Sequence, residues 1–449
     1  MRVATTEPDS PPLSDSPIAI REINQLRILN ALRSQPGLSR AALVRQTGLG
    51  KATVSTIVAG FIARGLVREE GPEVQHAAGR RPTRLELNGE AFVVIGVELT
   101  GYECIAALID LRGRPLRVLH RPMPESSPQS SVDTIVAAIS HLMAGRDDAQ
   151  LAGVGVGIPG VVDAQAQRVV LAQNIGWVDV PFARLLQDRI SKRVSIINRT
   201  NADALGEYWH GSGQAADSMI YVSVGMGIGA GIIIGGKLHQ GANGSAGEIG
   251  HVTVVPNGPR CACGNTGCLE TLASTSAMVV RAKQRIKEGE RSVLDTLTGG
   301  NLEIMTGSMI TDAARQGDEV AVAVIQEAGN YLGVALANAI NLLNPRLVVV
   351  DSEMRDPGDL FLESVRKAVN HRAFSLALAA VEVVPSRLEH LAAAIGASTL
   401  IIDQLFSSID GLFDSAGHVD DAMHSALNAV FGDDSSDSLD SLQNRVGSS

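Results

Sequence analysis

The chain predicts an α/β protein in which a small winged helix-turn-helix head precedes a larger body of two similar lobes. Three observations predict it. Residues 18–88 carry three short helical patterns and then two short strands around a polar loop. From about residue 92 three consecutive apolar strands lead to a helix and a fourth strand, an order unlike plain βαβ winding. A glycine-punctuated strand pair at 218–238 then opens a second set of the same kind. The 449 residues allow two to four domains at ~100–200 residues each, and 45% hydrophobic content supports a large core.

Residues 1–17 are rich in Pro, Ser and acids; they read as disordered and, having no apolar run, as no signal peptide. The first helix covers about 20–34, with Ile23, Leu26, Ile28, Leu29 and Leu32 apolar, and Pro36-Gly37 ends it. Ser39 is placed to cap a second helix over 39–47. Gly48-Leu49-Gly50 makes a turn, and a third helix covers 51–64, with Val54, Ile57, Val58 and Ile62 facing the core. Strands at 66–70 and 83–88 flank a loop that ends in Gly79-Arg80-Arg81-Pro82.

Charge separates this head from the rest. The whole chain carries −10, yet Ile20–Glu86 holds eleven Lys or Arg against five Asp or Glu. A basic head on an acidic protein points to a polyanion as partner of the head. Lys51, Thr53, Ser55 and Thr56, on the first turns of the third helix, have the short or flexible polar side chains that reach base edges in a major groove. Arg40 and Arg45 are placed for phosphates, and Arg80 and Arg81 for a minor groove. A protein-binding module with a solvated basic face is the alternative; the wing arginines and the charge contrast favour double-stranded DNA.

In the body, FVVIGVEL, CIAALIDL and RPLRVLHRPM read as strands, followed by a helix over 131–144 and the strand LAGVGVGIP. A long helix over 318–343 precedes the strand at 346–351. Two such lobes enclose a cleft. Beyond Ser407 the chain is acidic, eight Asp against one Arg, and reads as a low-complexity tail over 408–449. Four cysteines, three of them clustered, form no disulfide framework, and no run reaches the ~18 apolar residues of a membrane span. These readings make the protein cytoplasmic, with no membrane partner.

The clustered cysteines lie in GEIGHVTVVPNGPRCACGNTGCLE, residues 247–270. His251, Cys261, Cys263 and Cys268 supply the sulfur and nitrogen donors that suit tetrahedral Zn²⁺. Gly264 and Gly267 let the loop fold back so that Cys268 meets the first pair. Glu248 and Glu270 flank the cluster, and carboxylates fixed in a cleft grip sugar hydroxyls.

On these motifs, residues 92–404 resemble the ROK family (repressors, open reading frames, kinases), and the winged head makes the chain similar to that family's transcriptional regulators. The signature is Glu248-Ile-Gly-His251 followed by Cys261-Ala-Cys263-Gly-Asn-Thr-Gly-Cys268-Leu-Glu270. The resemblance implies a two-lobed, actin-like ATPase (sugar kinase-like) body with a sugar between the lobes. It implies Glu248, His251 and Glu270 as sugar contacts, with one His251 nitrogen on zinc. It also matches Gly157-Ile-Pro159-Gly160, Asn174 and Asn198 to the sugar side of the family's site.

The kinase side departs from the family pattern. Arg199 stands where the resemblance places the catalytic Asp, and a guanidinium cannot take a proton from a sugar hydroxyl. The first phosphate loop reads Glu98-Leu99-Thr100-Gly101-Tyr102. The second keeps Gly225, Gly227 and Gly229 around Met226, and Asp351-Ser352 replaces a glycine pair. No catalytic residue is assigned. An internal ion pair, for instance to Asp203, is favoured for Arg199 over contact with an anionic sugar. The chain therefore reads as a regulator, by analogy a repressor, of carbohydrate-metabolism genes. It senses a sugar or sugar derivative and binds an inverted-repeat operator as a homodimer. The alternatives are an ATP-dependent sugar kinase with an appended DNA-binding domain, and a regulator that answers to a protein.

Overall fold

The computed structural model describes residues 17–72, 83–123, 125–214, 216–352 and 360–407. The expected disorder of the N-terminus, the Arg80-Arg81 wing tip and the acidic tail lie outside the described residues. Two compact units separate. Among the described residues, one contains those up to Leu87, Asp147–Ala152 and Gln404–Ser407; the other contains those of Asn88–Arg146 and Gly153–Asp403.

In the first unit, helices α1 (Pro17–Ser34), α2 (Arg40–Thr47) and α3 (Lys51–Ala63) precede strands β1 (Val67–Pro72) and β2 (Thr83–Leu87). Ser39 caps α2 as expected, accepting from Ala42 N at 3.3 Å, and Gly48 ends it in the left-handed region. β1 and β2 pair antiparallel, Val67 opposite Leu87. Leu29, Leu32, Leu43, Val54, Val58, Phe61 and Leu85 are buried. Phe61, not Ile62, completes the buried stripe of α3. Both lie near the predicted arc, and packing against the neighbouring elements selects the larger ring.

The second unit is two five-stranded sheets. The first contains β3 (Val93–Leu99), β4 (Glu103–Asp110), β5 (Pro115–Pro122), β6 (Leu151–Ile158) and, after a small sheet of β7 (Val161–Asp163), β8 (Arg168–Ala172) and β9 (Trp177–Val180), strand β10 (Val194–Asn198). The second contains β11 (Ser218–Val224), β12 (Ile228–Ile234), β13 (Lys237–Leu238), β14 (Leu347–Ser352) and β15 (Glu382–Pro385). The orders are β10-β6-β3-β4-β5 and β13-β12-β11-β14-β15. Each is an antiparallel meander extended from its first strand by two parallel strands. The duplication expected from sequence is therefore a duplication of topology.

Helices α4 (Pro128–Leu142) and α5 (Phe182–Ile190) belong to the first half and α6 (Arg199–His210) follows β10. The second half adds α7 (Glu270–Ala273), α8 (Thr275–Lys287), α9 (Val293–Leu297), α10 (Gly307–Arg315), α11 (Glu319–Leu343), α12 (Leu360–Arg372), α13 (Ser375–Leu378) and α14 (Ala392–Leu405). α6 and α14 pack together with β11 and β14 in one apolar cluster that includes Ala202, Tyr221, Val349 and Ala397. They cross closely: a Cβ on Gly396 would lie 1.7 Å from the Ala202 carbonyl oxygen, so only glycine fits. Although no run was expected to be long and apolar enough to span a membrane, α11, at 25 residues, is so by length and composition. Its residues Val324, Ala328, Leu332 and Leu336 lie in the core beneath the second sheet, so it is apolar because protein surrounds it.

Candidate functional site

The cysteine loop folds back as its glycines require. Gly264 and Gly267 have φ of +95° and +67°. A Cβ on Gly267 would lie 1.7 Å from the Val255 carbonyl oxygen. Gly267 N donates to Pro259 O at 2.8 Å and Cys261 N to Asn265 O at 2.8 Å, which closes the loop. The ligand atoms of His251, Cys261, Cys263 and Cys268 all lie within 4.8 Å of one another. Cys263 Sγ is 3.7 Å from Cys268 Sγ, and Cys261 Sγ is 3.6 Å from His251 Nδ1. Tetrahedral zinc, with bonds of ~2.3 Å to sulfur and ~2.0 Å to nitrogen, separates such pairs by about 3.8 and 3.5 Å. Donor set and spacing both fit the ion. Burial, then the neighbouring Cys263 and Cys261, pushes the Cys268 thiol up to about 12.

Of the sugar candidates, Glu248 and Glu270 adjoin this loop. His251 Nε2, the nitrogen turned away from the cysteines, lies 3.9 Å from Glu248 Oε2. Glu270 opens α7, and its Oε2 accepts from Ile228 N at 3.1 Å. The same oxygen lies 2.7 Å from where a Cβ on Gly227 would sit, so Glu270 lies against the second glycine loop. Asn198 ends β10. Its Nδ2 donates to Gly160 O at 2.7 Å and its Oδ1 accepts from Asn201 N at 3.0 Å, capping α6. The Gly160 turn thus meets the start of α6, and Asn198 holds that junction. Asn174 is exposed in the short turn Gln173–Ile175, whose Ile175 side chain packs near Gly101.

In the head, Lys51, Thr53 and Thr56 of α3 are exposed, Ser55 is half-buried, and Arg45 is exposed on α2. Arg40 is not a free cation: it forms an ion pair with Glu69 of β1. That contact comes from the wing, which the helix sequence alone does not place.

Two buried carboxylates, Glu98 and Asp203, share a guanidinium, Arg199, whose side chain is 33% exposed. Arg199 Nη1 is 3.3 Å from Glu98 Oε1 and 3.8 Å from Asp203 Oδ2, and Nη2 donates to Ser223 Oγ at 3.4 Å. This is the internal ion pair that the sequence favours, with Glu98 as a second partner. Tyr221 Oη donates to Asp351 Oδ2 at 3.3 Å in the same region. Burial holds the carboxyls of Glu98 and Asp203 above their ordinary range. Burial works against the charge on Arg199, but Asp203 and then Glu98 outweigh it. Tyr102 and Met226 are 62% and 69% exposed. Sequence reasoning missed Ser223 and Tyr221. They enter through alternate positions of β11, and no local motif marks them.

Residues 94–404 match the ROK family, and residues 22–76 match the MarR family. The chain belongs to the ROK family. It is 34% identical over 395 residues to a putative xylose repressor of Caldicellulosiruptor sp. (strain Rt8B.4), covering 87% of this chain and 98% of that protein. A ROK family transcriptional regulator described as a homolog of the E. coli MLC protein superposes with a TM-score of 0.75 at 28% identity, over 88% of this chain and 98% of that one. A ROK family glucokinase from Streptomyces griseus, in complex with glucose and AMPPNP, matches 69% of this chain and 98% of its own, with a TM-score of 0.61 and 35% identity. The repressor-type ROK proteins thus extend over the head as well as the body, while the kinase matches a length close to that of the body alone.

Proposed function

We propose that this ROK protein is a DNA-binding transcriptional repressor of carbohydrate-metabolism genes that releases its operator when a sugar or sugar derivative binds. The observation that carries this reading is one chain with a winged head and a ROK body whose base position holds an ion-paired arginine. The exposed α3 face of Lys51, Thr53 and Thr56, with Ser55, enters the major groove; Arg45 contacts phosphate, and so do Arg40, once released from Glu69, and the wing arginines Arg80 and Arg81. A homodimer presents two heads to an inverted repeat. The domains follow as a head over 18–88, a body over 92–404 and an acidic tail over 408–449, and the protein works in the cytoplasm.

His251, Cys261, Cys263 and Cys268 hold zinc, which supplies a rigid cross-link to the loop. Glu248, His251 Nε2 and Glu270 then accept or donate hydrogen bonds to sugar hydroxyls, with Asn174 and Asn198 completing the pocket. The protein does not phosphorylate its sugar: Arg199 cannot act as base, and Glu98 faces Arg199 rather than a nucleotide's metal.

Genome-wide mapping of bound sites, followed by anisotropy titration of the recovered operator, tests the reading. Xylose, from the name of the relative, heads the sugar panel. At least one sugar lowers operator affinity about tenfold or more, a coupling of about 1.4 kcal/mol. ATP turnover with any sugar in a coupled assay would favour the kinase instead.

A further inference from the structure

The charge cluster around Arg199 contains residues of both sheets. Glu98 is on β3 of the first sheet, and Ser223 is on β11 of the second. Arg199 begins α6, and each of its terminal nitrogens reaches a different sheet: Nη1 to Glu98 at 3.3 Å, Nη2 to Ser223 at 3.4 Å. We propose that Arg199 is a clasp that ties the two sheets of the body together and transmits ligand binding from one to the other. This deepens the sensing role proposed above and rests on it for its functional consequence.

Three features support the clasp. The planar fork of arginine can hold two acceptors at fixed angles, which a lysine ammonium does not reproduce. The backbone at Arg199 is pinned, because the preceding Asn198 is bonded to Gly160 O and to Asn201 N at 2.7 and 3.0 Å. Asp203 Oδ2 is buried, accepts no hydrogen bond, and has the guanidinium 3.8 Å away. Without Arg199, Glu98 and Asp203 lose their shared cation, and Ser223 of the second sheet loses its side-chain link to the first.

The clasp also adjoins the sugar candidates. Thr200 Oγ1, one residue on, lies 2.9 Å from where a Cβ on Gly229 would sit, and Glu270 contacts Gly227 in the same loop. A ligand drawn to Asn198 and Glu270 therefore touches the segment that carries Arg199 and the glycine loop that follows β11, one on each side of the bridge.

Amide hydrogen exchange of the full-length zinc-loaded protein tests this without sugar or operator. In Arg199→Met, exchange should quicken about tenfold at residues 223–227 on the second sheet as well as at 198–201, with the head and the cysteine loop unchanged. Ser223→Ala, which removes one hydroxyl and leaves the core intact, should quicken 223–227 in the same direction, and the double variant should add nothing to Arg199→Met. Arg199→Lys should fall between. Effects confined to 198–201, or additive effects of the two substitutions, overturn the clasp. On operator DNA, both variants should narrow the sugar-induced change in affinity about tenfold and leave sugar-free affinity unchanged. If wild type answers to no sugar, the sensing reading fails while the exchange result still decides the clasp.

Discussion

His251 Nδ1 lies 3.6 Å from Cys261 Sγ, while the other nitrogen of the same ring lies 3.9 Å from Glu248 Oε2. One imidazole thus joins the cysteine cluster to a carboxylate of the proposed pocket. A metal on Nδ1 sets the ring's orientation and leaves Nε2–H as a donor.

Cys263→Ser breaks that linkage at a ligand whose side chain is exposed, so the core is untouched. Bound zinc, measured by plasma mass spectrometry, should fall about tenfold or more from about one ion per chain. Sugar-induced release of operator should disappear while sugar-free operator binding persists. A metal-free variant that still releases operator with sugar would reduce the loop to a structural staple.

Glu270→Gln keeps an oxygen for the Ile228 amide and removes the charge. Replacing a charged acceptor by a neutral one should weaken sugar binding about tenfold, from hydrogen bonds of ~1.5–3 kcal/mol to charged groups. Isothermal titration reads the change, and unchanged affinity removes Glu270 from the pocket.

Arg45→Ala on the exposed face of α2 should weaken binding to all DNA sequences alike. The slope of log affinity against log salt should become shallower by about 0.9, one phosphate contact. A loss restricted to the specific operator would place Arg45 on a base instead.

Asp203 gives a pH prediction. Its carboxyl is raised by burial, with Glu98, Asp351 and Glu207 adding to the rise and Arg199 opposing it; Tyr221 adjoins the group. A raised folded-state pKa means that the native state holds the proton more tightly than the unfolded chain. The contribution is complete below about pH 3.9, the unfolded value, and is lost as pH rises through the folded pKa. Asp203→Asn should therefore raise the melting temperature more at pH 8 than at pH 5. An equal change at both pH values would show that Asp203 is ionised throughout.

Two glycines should respond oppositely. Gly396→Ala places a Cβ 1.7 Å from the Ala202 carbonyl oxygen and should cost about 3 kcal/mol or more in urea unfolding. Gly60→Ala, in α3 with open space around the new methyl, should stabilise by about 0.5–1 kcal/mol. Equal effects would contradict the close α6–α14 crossing.

Local chemistry made much of this molecule readable in advance. Ser39, Gly48 and the apolar stripe at Val54, Ile57 and Val58 act within a few residues of their own positions, so α2 and α3 were legible. The cysteine loop was legible for the same reason: its four donors lie within 18 residues, and its glycines dictate the bend. Phe61 over Ile62, the Arg40–Glu69 pair and the apolar surround of α11 were not legible. Each depends on which element packs alongside.

The sequence by itself determined the winged head, the repeated strand order and the zinc-type donor set, because periodicity, turn residues and short ligand spacing encode them locally. It also determined that Arg199 could not be a base, since guanidinium chemistry is the same wherever it sits. Only the tertiary structure decided what Arg199 does instead. Glu98 and Ser223 stand 101 residues before it and 24 after it, on different sheets. No spacing rule relates three such residues. Burial of two carboxylates beside one guanidinium relates them, and burial exists only once the two sheets have packed against α6.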